Sequence, residues 1–512
     1  MNNLDFIVDL IRSLSRNEKR AFKIYASRHI IGEKNKYVML FDALDKLEGN
    51  YNRKKIVEVL KKKNIGQSVS SDGNYLIQIL VDSLCQYHSQ SNSTYRINRF
   101  ITAARLFFEK NFYSYSLKLL ERAKKEAYHY EKLSELLIIL GLERNIVFQS
   151  LTHVKELEKG LNAIYTEEKD ILNRLGNRSD YKKISDSLFL LTKKYGISRS
   201  NVQINSANKI FQNRLLKNEK LALSFEAKRF LIISYGYYYY IINDKIKNHK
   251  SRIKYVDLIE SNTHQIIDEP NIYLSALNNV LLSSIQVVNK TDFFTYLKKL
   301  REVPFNVLKG NSSTFIEKRI FESSYINETD YYLRIRDFKK GLELIPQIEK
   351  GLLMFEKAIE KSSELTLAFN VMCLSFCAGK YKLALLWNNK VLESHQRDVR
   401  EDLICFSKIM ELIIHFEMNN MLQLPYYLKS ANHFFIKREH HFEFEEIFLK
   451  HFPKLINAEK TELKEVYKLM RHDLESLRNK SKESFMFDDI DISVWLQSKI
   501  SGKTYAEVMM EK

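Results

Sequence analysis

The stretch that most constrains the fold runs from Phe100 to Ala127 and reads FITAARLFFEKNFYSYSLKLLERAKKEA. Its first half has aromatic and small residues at the spacing of one helix face: Phe100, Ala103, Ala104 and Phe107. After a polar turn at residues 109–111, its second half has a similar stripe: Ser116, Leu120, Ala123 and Ala127. The spacing predicts two packed antiparallel helices. Because such a pair buries only one side, it needs a neighbouring pair on each flank.

The second helix of this pair also has the spacing of a repeat motif, in which an aromatic residue is followed by a small residue and two apolar positions. Three sets have this spacing, with Asn388 as the one polar exception: Tyr113, Ser116, Leu120 and Ala123; Phe338, Gly341, Ile345 and Ile348; and Tyr381, Ala384, Asn388 and Val391. The pattern resembles the tetratricopeptide repeat (TPR), which implies irregular antiparallel hairpins stacked as a TPR-like α-solenoid. Ordinary helix packing also selects small residues at contacts, so both interpretations stay open.

Glycine and proline are scarce, with 14 and 5 residues in a chain of 512, and no proline precedes Pro270. A chain of this kind has few tight turns and little left-handed backbone, which favours long helices joined by short polar loops. Hydrophobic residues make up 45% of the chain, which is ample for a core. We therefore predict an all-α fold.

Both ends of the chain resemble a family of uncharacterised bacterial helical-repeat proteins. The first matching segment, residues 14–27, reads LSRNEKRAFKIYAS, and the second, residues 487–508, reads FDDIDISVWLQSKISGKTYAEV. The resemblance implies an all-helical fold with a separate N-terminal unit, and it implies no activity. Within the first segment, Ser15 and Glu18 form the S-x-x-E pattern of a capping box, which predicts a helix that continues to about Arg28.

Polar breaks divide the chain into four predicted regions. They are an N-terminal helical domain at residues 1–93, a helical-repeat region at 94–265, a second one at 266–480, and a C-terminal tail with a short helix at 481–512. The clearest linker is the polar run SQSNST at residues 89–94.

The cysteines and apolar segments bear on location. Cys85, Cys373, Cys377 and Cys405 form no CxxC pair, so we expect buried thiols in a reducing compartment. The amino terminus, MNNLDFIVDL, lacks the basic region of a signal peptide. The longest apolar run, residues 231–242, is too short to span a bilayer. These features predict a cytoplasmic protein without a transmembrane segment.

The net charge of +18 favours acidic partners such as nucleic acid or acidic proteins. A candidate basic patch follows a tyrosine-rich helix and consists of Lys245, Lys247, Lys250, Arg252 and Lys254. Aromatic side chains beside basic ones suit single-stranded nucleic acid, whereas the alternative is a core helix followed by a solvated basic loop. A second candidate is the basic face of the helix after Ser15: Arg16, Lys19, Arg20 and Lys23.

Residues 53–87 also have the order of a helix–turn–helix, with a helix, a turn and a second amphipathic helix. Its first helix ends in the basic run at residues 61–63. A long turn and the dipole-complementing position of these lysines favour a structural helix end instead.

Motifs of common enzymes are absent from the sequence: it contains no P-loop, GxGxxG, HExxH, GxSxG or CxxC pair. The histidines and glutamates at residues 440–446 lack a recognised metal-ligand spacing. We therefore predict a non-enzymatic protein with no cofactor and no metal. The first hypothesis is a helical-repeat scaffold or adaptor that binds a protein or peptide. The alternative is a nucleic-acid-associated or regulatory protein that uses the N-terminal helices or the Lys245–Lys254 patch.

Overall fold

The computed structural model describes residues 3–28, 36–46, 69–89, 92–150, 153–195, 201–310, 312–356, 358–393, 400–436, 443–459, 461–480 and 490–511. Within these ranges all regular elements are helices and there is no strand, which confirms the all-α prediction. The predicted helix at residues 53–63, with its three lysines, lies outside the described ranges. Contacts divide the chain into a first unit, residues 1–276, and a second unit, residues 277–512.

The helices of the first unit are numbered in chain order. They are α1 (Asn3–Ser13), α2 (Arg16–Ser27), α3 (Lys36–Asp45), α4 (Val69–His88), α5 (Ser93–Glu109), α6 (Tyr113–His129), α7 (Leu133–Ser150), α8 (Val154–Tyr195), α9 (Asn201–Phe211), α10 (Phe225–Ile241), α11 (Lys245–Glu260) and α12 (Thr263–Asp268). Short 3₁₀ turns at Arg214–Leu216 and Glu219–Leu221 connect α9 to α10. The boundary between the units falls inside α13 (Pro270–Val287).

The second unit continues with α14 (Lys290–Glu302), a π-helical turn at Val303–Val307, α15 (Thr314–Arg334), α16 (Phe338–Leu342), α17 (Ile345–Met354), α18 (Lys361–Cys377), α19 (Tyr381–Leu392), α20 (Glu401–Glu417), α21 (Leu424–Ile436), α22 (Glu443–Asn457), α23 (Leu463–Lys480), α24 (Ile492–Ser501) and α25 (Tyr505–Met510). No helix of the described ranges combines the length and the apolar character needed to cross a membrane.

The predicted hairpin is present as α5 and α6. Asn111 lies in the turn with a φ of 63°, a left-handed conformation that asparagine tolerates. The second predicted stripe is confirmed, because Ser116, Leu120, Ala123 and Ala127 are all buried. Ser116 donates a hydrogen bond from its hydroxyl to the carbonyl oxygen of Ala104 at 2.7 Å, so a small residue is needed at this contact.

The first predicted stripe was partly wrong. Helix α5 buries Ser93, Ile97, Ile101 and Ala104. Phe107 instead remains 38% exposed and contacts Phe112 and Tyr115 with ring centroids 6.3 and 6.2 Å apart. The isoleucines fill the interior, so the aromatic side chain is left at the edge of the hairpin.

Small residues also mark close helix contacts in the second unit. A Cβ on Gly341 of α16 would lie 2.5 Å from the Leu374 side chain of α18, and Ala384 of α19 is fully buried. The helix predicted through Ile345 and Ile348 is nevertheless divided, because α16 ends at Leu342 and α17 begins at Ile345. Gly341 therefore permits close packing at the predicted position without a continuous repeat helix.

Two helices of the structure continue through a glycine or a proline. Helix α8 runs unbroken for 42 residues through Gly176. Pro453 likewise lies inside α22. Isolated residues of either type lower helix stability but can be accommodated where packing on both sides holds the helix.

The N-terminal helices share one hydrophobic cluster. Ile7 and Ile11 of α1, Phe22 of α2, Phe41 of α3 and Leu80 of α4 are all buried in it. The rings of Phe22 and Phe41 stack with centroids 4.5 Å apart. This cluster fixes the positions of α2 and α4, whose outer faces form the groove described below.

The C-terminal helices are anchored by a buried tryptophan. Trp495 of α24 is 1% exposed, and its indole N–H donates to Glu417 Oε1 of α20 at 2.5 Å. Lys499 donates to the other oxygen of the same carboxylate at 2.6 Å. The predicted tail therefore contains two helices, α24 and α25, where one had been expected.

Three of the four cysteines, Cys373, Cys377 and Cys405, are buried as predicted. Cys85 is exposed on α4, so the prediction was wrong for this residue.

Candidate functional site

The patch predicted at Lys245–Lys254 lies on α11 rather than in a loop. Asp244 caps this helix by accepting a hydrogen bond from the Lys247 backbone N–H at 3.0 Å. The Lys247 ammonium also lies 3.0 Å from Asp244, and Lys254 pairs with Glu219. Two of the patch lysines are therefore already beside carboxylates, while Lys245 and Lys250 are exposed.

Arg252 was predicted to join this patch, but the structure gives it an internal role. Its guanidinium packs over the backbone of Gly236, where an added Cβ would lie 2.8 Å from the guanidinium carbon. Its Nε donates to the side-chain oxygen of Asn248 at 3.2 Å. Burial lowers the pKa of Arg252 from its usual value. The prediction was wrong for this residue, because the missing glycine side chain creates a slot that the guanidinium fills.

Two of the tyrosines before this patch also have structural partners. The Tyr235 hydroxyl donates to the carbonyl oxygen of Leu216 at 2.6 Å. The ring of Tyr238 stacks on Phe211 with centroids 3.7 Å apart. Burial raises the pKa of Tyr235 to about 12. These rings support packing of α9 on α10, so they are not available as a platform for nucleic-acid bases.

The second predicted patch lies on the outer face of α2. Arg16 and Arg20 are exposed and have no ion pair with any residue in the described ranges. Lys19 instead pairs with Asp45 of α3, and Lys23 pairs with Asp42 at 2.7 Å. The lysines therefore hold α3 against α2, and the arginines face solvent.

An open groove of about 370 Å³ lies between α2 and α4. Helix α2 contributes Asn17, Arg20, Ala21, Ile24, Tyr25 and Arg28, and α4 contributes Ser83, Gln86 and Tyr87. Arg20, Ile24 and Arg28 recur every four residues and so share one face of α2. Ile24 is 48% exposed and Tyr87 is 45% exposed, so the groove offers apolar surface between two cationic side chains.

One buried hydroxyl in this groove has no partner in the described structure. Ser83 is 2% exposed, and its Oγ makes no hydrogen bond there. Leaving a buried polar group unsatisfied costs about 1–3 kcal/mol. Such a group is a candidate for contact with a ligand.

A polar clamp holds the two walls of the groove together. Ser15 and Glu18 form the predicted capping box: Glu18 accepts from the Ser15 backbone N–H at 2.7 Å, and Ser15 Oγ accepts from the Glu18 N–H at 3.2 Å. His88 Nε2 of α4 lies 2.7 Å from the other Glu18 oxygen. Although burial opposes it, the hydrogen bonds from Ser15 and His88 lower the pKa of Glu18 overall.

A second open groove, of about 420 Å³, lies along α5 and α6. It is lined by Arg96, Phe100, Arg122, Lys125, His129 and Tyr130, together with Glu126. Arg96 lies 3.1 Å from Glu126, and its guanidinium lies 5.7 Å from the centre of the Tyr130 ring. This groove therefore also places basic groups beside aromatic surface.

The net charge is concentrated in the first unit. Residues 1–276 contain 46 Lys and Arg against 30 Asp and Glu, whereas residues 277–512 contain 35 against 33. The first unit thus carries 16 of the 18 net positive charges. The basic face of α2 was predicted from the sequence, but Ile24, Arg28, Ser83 and Tyr87 were not. The four-residue repeat of Arg20, Ile24 and Arg28 was the available signal.

In the described ranges, no group of three or more His, Cys, Asp or Glu side chains is arranged to hold a metal ion. In comparisons with known proteins, no family model, curated protein or solved structure matches this chain.

Proposed function

We propose that this protein is a non-enzymatic helical scaffold, built from TPR-like hairpins, that binds an acidic protein partner through its first unit. The observation that carries the proposal is the groove between α2 and α4, where exposed apolar side chains lie between arginines that have no ion pair among the described residues. Apolar surface with a charged rim is the usual composition of a protein-binding site. The charge excess of residues 1–276 attracts an acidic partner over longer distances.

The hairpin spacing and the absence of common catalytic motifs from the sequence support the scaffold hypothesis. The buried thiols of Cys373, Cys377 and Cys405 are consistent with the proposed cytoplasmic location.

The test is affinity purification of the full chain with nuclease treatment, followed by titration of the purified partner by calorimetry. We expect an acidic protein whose affinity falls as the salt concentration rises. The matched variants are Arg122→Glu with Lys125→Glu in the first unit, and Lys339→Glu with Lys382→Glu in the second. The first pair should weaken binding more than the second. Equal losses from both pairs, or binding that salt does not affect, would contradict the proposal.

Nucleic-acid association is the second candidate, and the solvent-facing arginines of α2 favour it. If it is correct, single-stranded oligonucleotides should bind the full chain with an affinity that falls steeply between about 50 and 200 mM salt. Loss of all captured material on nuclease treatment would favour this candidate over the scaffold.

A further inference from the structure

We infer that the groove between α2 and α4 binds an extended acidic peptide in which an apolar residue lies between two acidic residues at alternate positions. This inference rests on the proposed scaffold function and identifies the ligand class of that site. In sequence terms, the ligand is Asp or Glu, any residue, an apolar residue, any residue, then Asp or Glu.

The spacing of the α2 side chains sets this pattern. Arg20, Ile24 and Arg28 are each one helical turn apart, which is about 6 Å along the helix axis. Alternate side chains of an extended peptide lie on one face about 6.6 Å apart. An apolar side chain at the centre thus contacts Ile24, and acidic side chains on either side reach Arg20 and Arg28. Arginine binds carboxylates through paired hydrogen bonds, which adds geometric selectivity.

The α4 wall supplies the remaining contacts. Tyr87 extends the apolar surface opposite Ile24, and its ring is held edge-on against His88 with centroids 4.9 Å apart. Gln86 presents an amide that can pair with a peptide backbone group. The unsatisfied Ser83 hydroxyl gains a partner when a peptide group enters the groove.

The surrounding charges favour a peptide over a nucleic acid. Lys19 and Lys23 are neutralised by Asp45 and Asp42, so the basic groups of α2 do not form a continuous track for a phosphate backbone. Two arginines separated by apolar surface instead match two separate carboxylates.

The experiment begins with a display library of random peptides of about 12 residues, panned against the full chain. We expect enrichment of the acidic–apolar–acidic pattern at alternate positions. The enriched peptide is then synthesised and titrated by calorimetry into the full chain and its variants. Arg20→Glu with Arg28→Glu should weaken binding by at least ~10-fold. The control, Arg99→Glu with Arg105→Glu on α5, has the same charge change outside the groove and should have a much smaller effect.

Ser83→Ala tests the role of the unsatisfied Ser83 hydroxyl. Because the hydroxyl has no partner in the described structure, its removal should leave stability unchanged or raised, while peptide affinity falls by about 5-fold. A loss of stability with unchanged affinity would mean that the hydroxyl is structural and would count against the inference.

Three results would overturn the inference: a consensus without acidic residues, affinity that survives the double arginine reversal, or oligo(dT) displacing the peptide and binding more tightly. The experiment distinguishes an error in the assigned groove from an error in the proposed scaffold function. If the Arg20 and Arg28 reversal leaves the purified acidic partner bound, only the groove assignment fails. If the wild-type chain binds no acidic protein, the scaffold function fails.

Discussion

The two units use their charged residues differently. In the first unit, Asp268 is the one Asp, Glu, Lys or Arg that is buried among the described residues, and the arginines of α2 face solvent. In the second unit, the buried set is larger: Lys318, Glu322, Glu328, Glu411, Glu445 and Asp491. Several of these form internal pairs, such as Arg301 with Glu328 at 2.5 Å and Lys408 with Glu411 at 2.9 Å. Buried charge is therefore more common in the second unit, whereas the first unit keeps most of its charged side chains nearer the surface.

The largest change in stability is expected when a charged group inside the second unit is removed. Glu417→Ala removes the acceptor for both the Trp495 indole and Lys499, and leaves a buried N–H without a partner. We expect the free energy of unfolding to fall by about 3 kcal/mol. Urea denaturation followed by circular dichroism measures this change. Glu465→Ala is the control, because its pair with Lys468 is exposed, and it should cost less than about 1 kcal/mol.

The next prediction compares helix packing in the two units. Gly351 of α17 lies against Phe321, where an added Cβ would come within 1.9 Å of the ring. Gly351→Ala should therefore destabilise the protein by about 1–3 kcal/mol. Gly176 of α8 has open space around it, so Gly176→Ala should raise stability by about 0.5–1 kcal/mol. Thermal melting of the two variants measures both effects, and destabilisation by Gly176→Ala would show that α8 is more tightly packed than the structure indicates.

A smaller change in stability is expected when a charged side chain in an internal slot of the first unit is compared with one that faces solvent. Arg252→Ala empties the slot over Gly236 and removes the hydrogen bond to Asn248, so we expect a loss of about 1–2 kcal/mol. Lys250→Ala changes an exposed neighbour and should alter stability by less than about 0.5 kcal/mol. Urea denaturation measures the change in the free energy of unfolding for each variant. Equal changes would mean that Arg252 behaves as a solvent-facing residue.

The smallest effect concerns the pH dependence of the clamp at the groove. The pKa of Glu18 is lowered in the folded protein, so its ionised form adds stability above its usual pKa of 4.5, and this stability is lost as the pH falls through the lower folded value. Glu18→Gln should cost about 1 kcal/mol near neutral pH, and the difference from wild type should shrink below pH 4.5. Thermal melting across this range measures it. A constant difference would mean that the carboxylate charge is unimportant.

The sequence was sufficient for local structure that depends on nearby residues. The capping box at Ser15 and Glu18 and the small residues at Ser116 and Gly341 were all predicted correctly. Each depends on spacing within one or two helices. The all-α fold was predicted from composition, because glycine and proline are scarce.

Features that depend on distant segments were missed. The slot for Arg252 exists because Gly236 of the preceding helix lacks a side chain, and a pattern of basic residues does not reveal such a slot. The groove joins α2 to α4 across more than 50 residues, so Ser83 and Tyr87 had no sequence signal linking them to Arg20. Phe107 was expected to be buried because aromatic spacing alone cannot distinguish the interior from the edge of a hairpin.

The positions of the two tryptophans make the second unit separately observable. Trp387 and Trp495 are the only tryptophans in the chain, both lie in residues 277–512, and both are almost fully buried. Intrinsic tryptophan fluorescence therefore reports on the second unit, whereas tyrosine fluorescence comes from both units. A ligand of the α2–α4 groove that raises the melting temperature seen by tyrosine fluorescence, but not the one seen by tryptophan fluorescence, acts on the first unit without any label being attached.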